Sequence, residues 1–444
     1  MNKKLIAVAV AGAFAAPAAM AQSNVTISGR MSLFVDTYSA TGNTQNATSG
    51  NNSQGISSRS RVTDNGSRLN VAGSEDLGNG LKANFYVETG FNADNGLLSG
   101  NNQNSATLLS QSNVGGLGNR IAYVGLAGAF GEIRLGRQHV FWTNGKSDSA
   151  QNAYVQAGSP FTSAGTYGSG MGVGVSRQPN TVQWLSPNVG GFEAIVSWAP
   201  NRAESVQPVT VAATQTSGEG SGRLWGLTAQ WTGGPYQVGY DWVEDKGNAL
   251  ATTTGSLMVG KAVGHKLRAA WSFAPGSNLG LVWSRAEISN GGVSGGSAGG
   301  GLAATNLGTL AGVGTTLKQS GWLASIEHMV GNLRLLGQYS KVTNIKGCAS
   351  TETYTVNGVV NSACDNTGAK AYMLGVNYLL SKRTHLTASY SVIRNDSNYY
   401  ADFTTSNNSS YAGSTIAGTT GTASVSQMAG SDPKIFSVGV IHNF

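Results

Sequence analysis

The stretch NGSRLNVAGSEDLGNGLKANFYVETGF, residues Asn65 to Phe91, decides how this chain folds. It alternates for several residues, breaks at Ser74-Glu-Asp-Leu-Gly-Asn-Gly80, then alternates again. After the break Ala83, Phe85 and Val87 share one face, and Lys82, Tyr86 and Glu88 the other. Period-two alternation around a turn-forming break is the pattern of a β-hairpin with one apolar and one polar face. The open question is which face points inward, and therefore what Arg68 looks at.

The pattern recurs along the whole chain. Strands are expected over 24–38, 66–75, 80–92, 119–127, 131–139, 177–186, 191–200, 222–232, 235–244, 264–274, 277–288, 318–329, 332–342, 369–380, 383–394 and 433–444, sixteen in all. Connections alternate between short turns and long polar loops at 39–65, 93–118, 140–176, 201–221, 245–263, 289–317, 343–368 and 395–432. An even strand count with turns at one end and long loops at the other fits a transmembrane barrel. A soluble sandwich has no reason for that asymmetry.

The two faces differ consistently. Trp225, Leu227, Ala229 and Trp231 oppose Thr228 and Gln230, while Leu267, Ala269, Trp271 and Phe273 oppose Lys266, Arg268 and Ser272. Placing Arg268, Asp241 or Glu193 unpaired in a core would cost several kcal/mol each. An apolar face toward lipid and a polar face toward water removes that cost, and barrel closure satisfies every strand edge. Sixteen strands enclose an aqueous channel. Phe85 and Val87 then face outward and Arg68 faces the lumen.

Composition agrees. Glycine is abundant (63 of 444 residues), charged residues are 11%, and the net charge is +7. So thin a basic excess does not suit nucleic acid, which calls for clustered Lys and Arg interleaved with aromatics. The start, MNKKLIAVAVAGAFAAPAAMAQ, has a basic n-region (Lys3, Lys4), an apolar stretch and an Ala19-Met20-Ala21 cleavage site, so residues 1–21 read as an export signal. Cys348 and Cys364 are close in sequence, and in an exported protein such a pair suggests a disulfide, with two free thiols as the alternative. The five histidines show no metal-ligand spacing. The glycine runs at 168–174 and 295–299 lack the strand-to-helix context of a phosphate loop or a nucleophile elbow.

Several ordered segments resemble the general bacterial porins, in particular the Gram-negative porin family of β-proteobacteria. They are Ser67-Arg68-Leu69 with Gly73-Ser74-Glu75-Asp76-Leu77-Gly78 and Gly80-Leu81-Lys82, then Asn119-Arg120-Ile121-Ala122-Tyr123-Val124-Gly125-Leu126 with Phe130-Gly131 and Leu135-Gly136-Arg137-Gln138. Later come Arg177, Asn180-Thr181-Val182, Ser186-Pro187-Asn188, Gly190-Gly191-Phe192, Leu380-Ser381-Lys382-Arg383-Thr384 and Phe444. The resemblance spans residues 22–444 and implies a homotrimer of sixteen-stranded antiparallel barrels in the outer membrane, needing no cofactor and performing no chemistry. The third long loop, 140–176, would fold inward and narrow the pore. Wall arginines matching Arg68, Arg120 and Arg177 would face acidic groups of that loop. The family also implies contact with membrane lipid and lipopolysaccharide, a trimer interface from strands 24–38 through 131–139, and Phe444 as a signal to the outer-membrane assembly machinery.

Strand parity gives its own expectations. Leu69 and Val71 outward put Arg68 inward, Ile121 and Tyr123 outward put Arg120 inward, and Val182 and Trp184 outward put Arg177 on the side of Thr181 and Gln183. Arg30 and Arg134 face in as well, and Lys82 and Glu88 line the pore. Loop 140–176 carries one acid, Asp148, balanced by Lys146. An eyelet with several arginines and little opposing acid favours anions, unless inward acids such as Glu88, Asp36 and Glu193 cancel the field. The expected function is passive diffusion of small hydrophilic solutes, preferably anions. The competing readings are a selective channel for organic acids or phosphate-like anions, with Tyr154, Phe161 or Tyr167 beside the arginines, and a surface adhesin.

Overall fold

The structure is a computed structural model that describes residues 24–41, 56–94, 96–98, 116–141, 145–148, 177–200, 223–251, 257–289, 301–302, 316–348, 353–356, 359–362, 364–397, 399–401, 403 and 430–444. Residues 1–21 and most of loop 140–176, including Tyr154, Phe161 and Tyr167, lie outside that set.

All sixteen expected strands form, and we number them in chain order. They are β1 (Asn24–Thr41), β2 in two pieces (Ile56–Asp64 and Arg68–Gly78), β3 (Leu81–Asn92), β4 (Ile121–Gly128), β5 (Gly131–His139), β6 (Arg177–Leu185), β7 (Phe192–Pro200) and β8 (Arg223–Gly233). The second half comprises β9 (Tyr236–Ala251), β10 (Leu257–Ala274), β11 (Ser277–Ser289), β12 (Thr316–Val330), β13 (Leu333–Val342), β14 (Ala369–Leu379), β15 (Thr384–Asn395) and β16 (Asp432–Asn443). Each pairs antiparallel with its sequence neighbours, and β1 pairs β16 from Arg30↔Asn443 to Thr41↔Asp432, which closes the ring. The seam ends on Phe444, whose backbone exchanges hydrogen bonds with Gly29 at 2.9 and 3.0 Å. Only glycine fits there, because a Cβ on Gly29 would overlap the Phe444 ring.

The first hairpin turn sits where the sequence break falls. Gly78, Asn79 and Gly80 all hold positive φ (82°, 51° and 77°), a conformation that glycine and asparagine adopt at least cost. The outer face of the barrel is apolar, with Ile27 66% and Leu374 69% exposed. Aromatics cluster toward both strand ends. Trp198 and Trp225 pair at 6.1 Å near the long loops, and Phe192 and Trp231 at 6.2 Å near the short turns. Trp225 and Trp231 are six residues apart on β8, about 20 Å along a strand, which suits two girdles flanking a hydrocarbon band.

Three expectations are corrected. Loop 39–65 is shorter than its polarity suggested, because residues 56–64 pair with Leu33–Ala40 of β1. This segment, ISSRSRVTD, lacks apolar alternation, so it was invisible to periodicity and is held by its backbone ladder. Loop 245–263 is largely consumed by β9 and β10, which pair out to Ala251↔Leu257. The lumen face is not wholly polar either. Leu224, Val243, Leu317 and Ile393 point inward and belong to one buried apolar cluster that also takes in Phe141 at the loop base and Tyr399, Ala401 and Phe403 of the last long connection. Segments folded back over the barrel shield these side chains from water, which favours apolar residues on that face.

Cys348 and Cys364 are disulfide-bonded, closing a connection that holds a small hairpin (Thr353–Val356 with Val359–Ser362).

Candidate functional site

Three arginines converge on one carboxylate inside the barrel, and a fourth stands behind them. Glu88, on the lumen face of β3 and 6% exposed, accepts from Arg120 Nε at 2.6 Å and lies 3.6 Å from Arg68 Nε. The Tyr86 hydroxyl donates to its other oxygen at 3.3 Å. Arg177 lies within electrostatic range of Glu88, Arg120, Arg68 and Arg137. Three guanidiniums around one carboxylate leave an excess of two positive charges, and Arg137 beside Arg177 adds to it.

Two irregularities aim these side chains. Between the two pieces of β2 the ladder is broken at Asn65-Gly66-Ser67, where the Asp64 carboxylate accepts from the amides of Gly66 (2.8 Å) and Ser67 (3.1 Å). The Ser67 hydroxyl fills the gap by accepting the Ser32 amide at 3.0 Å. Arg68 is the first residue beyond this break. Between β5 and β6, Gly136 faces Thr181 while Gln138 faces Gln178, so Pro179 and Asn180 together oppose Arg137. Asn180 holds φ +52° in that bulge, and bulges of this kind re-aim neighbouring side chains.

Parity reasoning failed here, and the register explains how. Tyr123 pairs with Tyr86 and Ile121 with Glu88, so Ile121 and Tyr123 face the lumen and not the lipid, while Val124 is 57% exposed outside. Arg120 is directed inward because it precedes β4, in a turn where its amide donates to the Glu88 carbonyl at 3.1 Å. For Arg177 the count from Val182 crosses the Asn180 bulge and loses its meaning. Arg137 was not singled out as a site residue. Its Nε donates to the Asn119 carbonyl at 3.0 Å, tying β5 to the turn that carries Arg120.

The remaining basic residues spread around the lumen. Arg30 stands opposite Arg68 in the β1–β2 register and donates to Ser32 Oγ at 3.3 Å. Arg134, near the short-turn end of β5, pairs with Glu132 at 2.6 Å and lies over the Tyr123 ring at 4.4 Å. Lys82 is exposed at the short-turn end of β3, opposite Asp76.

Loop 140–176 leaves β5 and crosses to the far wall. Phe141 holds φ +62°, unusual for a bulky side chain. Its carbonyl accepts from Lys266 Nζ at 2.8 Å, and that ammonium lies 4.8 Å from the Phe141 ring. Lys266 is fully buried beside Asp241 (3.5 Å), which also holds Arg268 Nε at 2.9 Å and Thr228 Oγ1 at 2.6 Å. Arg268 in turn donates to Gln230 at 2.8 Å. Hence the inward charges of β9 and β10 are paired, as burial requires.

Further along, residues 145–148 lie on the wall formed by β9 to β13. The Lys146 amide donates to Gln237 at 3.1 Å and its Nζ to Ser272 Oγ at 3.4 Å. Ser325 Oγ donates to the Ser147 carbonyl at 3.0 Å, and Gln338 Nε2 to Asp148 Oδ1 at 2.7 Å. Gly280 of β11 lies directly beneath, since a Cβ there would overlap the Ser147 backbone. β11 is eight strands from β3, half-way round a ring of sixteen. Asp148, the loop's one acid, is therefore seated opposite the Glu88 cluster, and the carboxylate among the arginines comes from the wall itself. Among the described residues no cluster of His, Cys, Asp and Glu could hold a metal ion.

Comparison with known proteins agrees with this architecture. The family model described as Gram-negative porin matches residues 7–398. The chain is similar to outer membrane porin protein 32 of Delftia acidovorans, 35% identical over 208 residues, covering 46% of this chain and 52% of that one. It is also similar to the major outer membrane protein P.IB of Neisseria gonorrhoeae, 34% identical over 200 residues, 45% of this chain and 49% of that one. The chain thus spans about half the length of the curated relatives it matches. In fold it resembles the anion-selective porin from Comamonas acidovorans, with a TM-score of 0.59 and 20% identity over 95% of this chain and all of that one. With a closed sixteen-stranded barrel and a family match over most of its length, the chain belongs to the Gram-negative porin family of the outer membrane.

Proposed function

We propose that this protein is a passive, water-filled channel through which small hydrophilic solutes cross the outer membrane, with a preference for anions. The observation that carries the reading is the arginine excess around Glu88 together with the seating of Asp148 on the opposite wall. A narrow passage of one sign, bounded by low-dielectric walls, raises the local concentration of the counter-ion. Rings of arginine or lysine favour anions for the same reason. Arg68, Arg120 and Arg177 set the field, Arg30 and Arg134 extend it, and Lys146 faces it from the loop. Residues 1–21 direct export and are removed. The working unit is a homotrimer in lipid and lipopolysaccharide, assembled through recognition of the strand that ends in Phe444. No bond is made or broken and no cofactor is involved.

The test is reversal potential across a planar bilayer holding the purified protein in a salt gradient. A potential of anion-selective sign, reduced in Arg120→Ala and Arg177→Ala, is expected. Cation preference would overturn the assignment of the arginine wall while leaving the barrel intact.

A further inference from the structure

The arginine cluster is not the last feature a solute meets. Two residues from Glu88 toward the short turns, Tyr86 and Tyr123 lie side by side on the lumen face, ring centroids 6.0 Å apart. Next to them opens a cavity of about 300 Å³, at the lower end of the volumes that hold small ligands. The two tyrosines, Arg134 and Gln183 line it together with the apolar Leu185 and Ile195 and with Val140 and Phe141 of the loop base.

We propose that this cavity is a binding site for small aromatic carboxylates on their way through the pore. The proposal rests on the channel reading above for its place in transport, and on the cavity alone for its chemistry. A water-filled passage for simple ions needs no pair of tyrosines beside leucine and isoleucine. Aromatic and branched side chains at a ligand-sized cavity give a planar ring a surface that a chloride or an acetate cannot use. The charge comes from Arg134, whose guanidinium already lies over the Tyr123 ring at 4.4 Å and so borders the place a stacked ligand would occupy. Its pairing with Glu132 moderates that charge, so the apolar surface does most of the selecting. The Tyr86 hydroxyl, bonded to Glu88, joins this cavity to the arginine cluster. An aromatic anion drawn in by the arginines thus passes directly from charge to stacking surface.

Benzoate and acetate are the probes, because they share the carboxylate and differ in the ring. Each is titrated by calorimetry into the full chain folded in detergent, and each is then tested as a blocker of chloride current in bilayers. Saturable benzoate heat is expected, with acetate giving none at the same concentrations. Tyr123→Leu should weaken benzoate about fivefold or more, whereas Tyr372→Leu, on the outer face, should leave it unchanged. Block is scored against each variant's own chloride current. Equal behaviour of benzoate and acetate, or undiminished benzoate binding in folded Tyr123→Leu, would overturn the site. Benzoate binding without any chloride current would uphold the site and sink the channel reading, so the two fail separately.

Discussion

Arg120 Nε lies 2.6 Å from Glu88 Oε1, and the Arg120 amide donates to the Glu88 carbonyl at 3.1 Å. Side chain and backbone are thus fixed to the same residue across thirty-two positions of sequence. Arg68, at 3.6 Å from the other carboxylate oxygen, shares that anchor. The carboxylate holds mutually repelling arginines together and also subtracts one charge from their field. Glu88→Gln separates those two roles. Removing one partner of a buried pair costs about 3 kcal/mol, so thermal stability should fall. The surviving variant should show anion permeability over cation permeability raised about twofold or more, because local positive charge is less compensated. An unchanged reversal potential would mean that Glu88 does not face the ion path.

Lys266 offers a different test. Its ammonium joins Phe141 of the loop to Asp241 of the wall, and it is fully buried. In Lys266→Met the alkyl stem remains, Asp241 keeps Arg268, and the Phe141 carbonyl loses its donor. A buried acceptor left unsatisfied costs about 1–3 kcal/mol, which bears on a residue already at φ +62°. The loop base should then move, appearing as added noise on the open-channel current. Currents as quiet as those of the unmodified protein would show that other contacts hold the loop.

How much of this was legible in the sequence depends on the range of the interaction. Strands such as Leu81–Asn92 and Arg223–Gly233 carry their period in their own residues, and their boundaries were read to within a residue or so. Ile56–Asp64 carries no such period and is a strand only because β1 offers it a ladder. At the site, parity worked while the strand was regular, as for Arg30 between Ile27 and Met31. It lost its basis at the Asn180 bulge, and it misplaced Tyr123. The residues that seat the loop were not legible at all. Nothing local in Gly280, Ser325 or Gln338 signals a partner more than a hundred residues away.

The disulfide between Cys348 and Cys364 supports a connection outside the arginine wall. With its ends sixteen positions apart in sequence, the cross-link restricts the unfolded chain by about 3 kcal/mol. Cys348→Ser with Cys364→Ser should therefore lower the unfolding temperature in detergent while single-channel conductance and reversal potential hold. A shift in selectivity would mean that this connection reaches the ion path.

Gly280 sets how closely residues 145–148 approach the wall. It lies at the middle of the wall that receives residues 145–148, paired with Ser325, which is itself opposite Gln338; those two bond to Ser147 and Asp148. The approach is so close that a single added carbon would meet the Ser147 carbonyl oxygen and its neighbours, all of them backbone atoms that cannot rotate away. In Gly280→Val the strand itself is comfortable, since valine favours extended backbone, so the strain falls on the loop. The segment 145–148 must lift from the wall into the lumen, and Ser325 and Gln338 lose their partners. The passage between this segment and the Glu88 cluster narrows, because the added bulk pushes the segment off its own wall toward the opposite side. Gly280→Val should lower single-channel conductance and the size limit for uncharged solutes, read by liposome swelling with sugars of increasing size. Arg120 and Glu88 are untouched by the change, so the sign of the reversal potential should persist. A larger conductance or a raised size limit would show instead that the loop leaves the lumen when it loses this wall, and that the arginine side alone does not confine the pore.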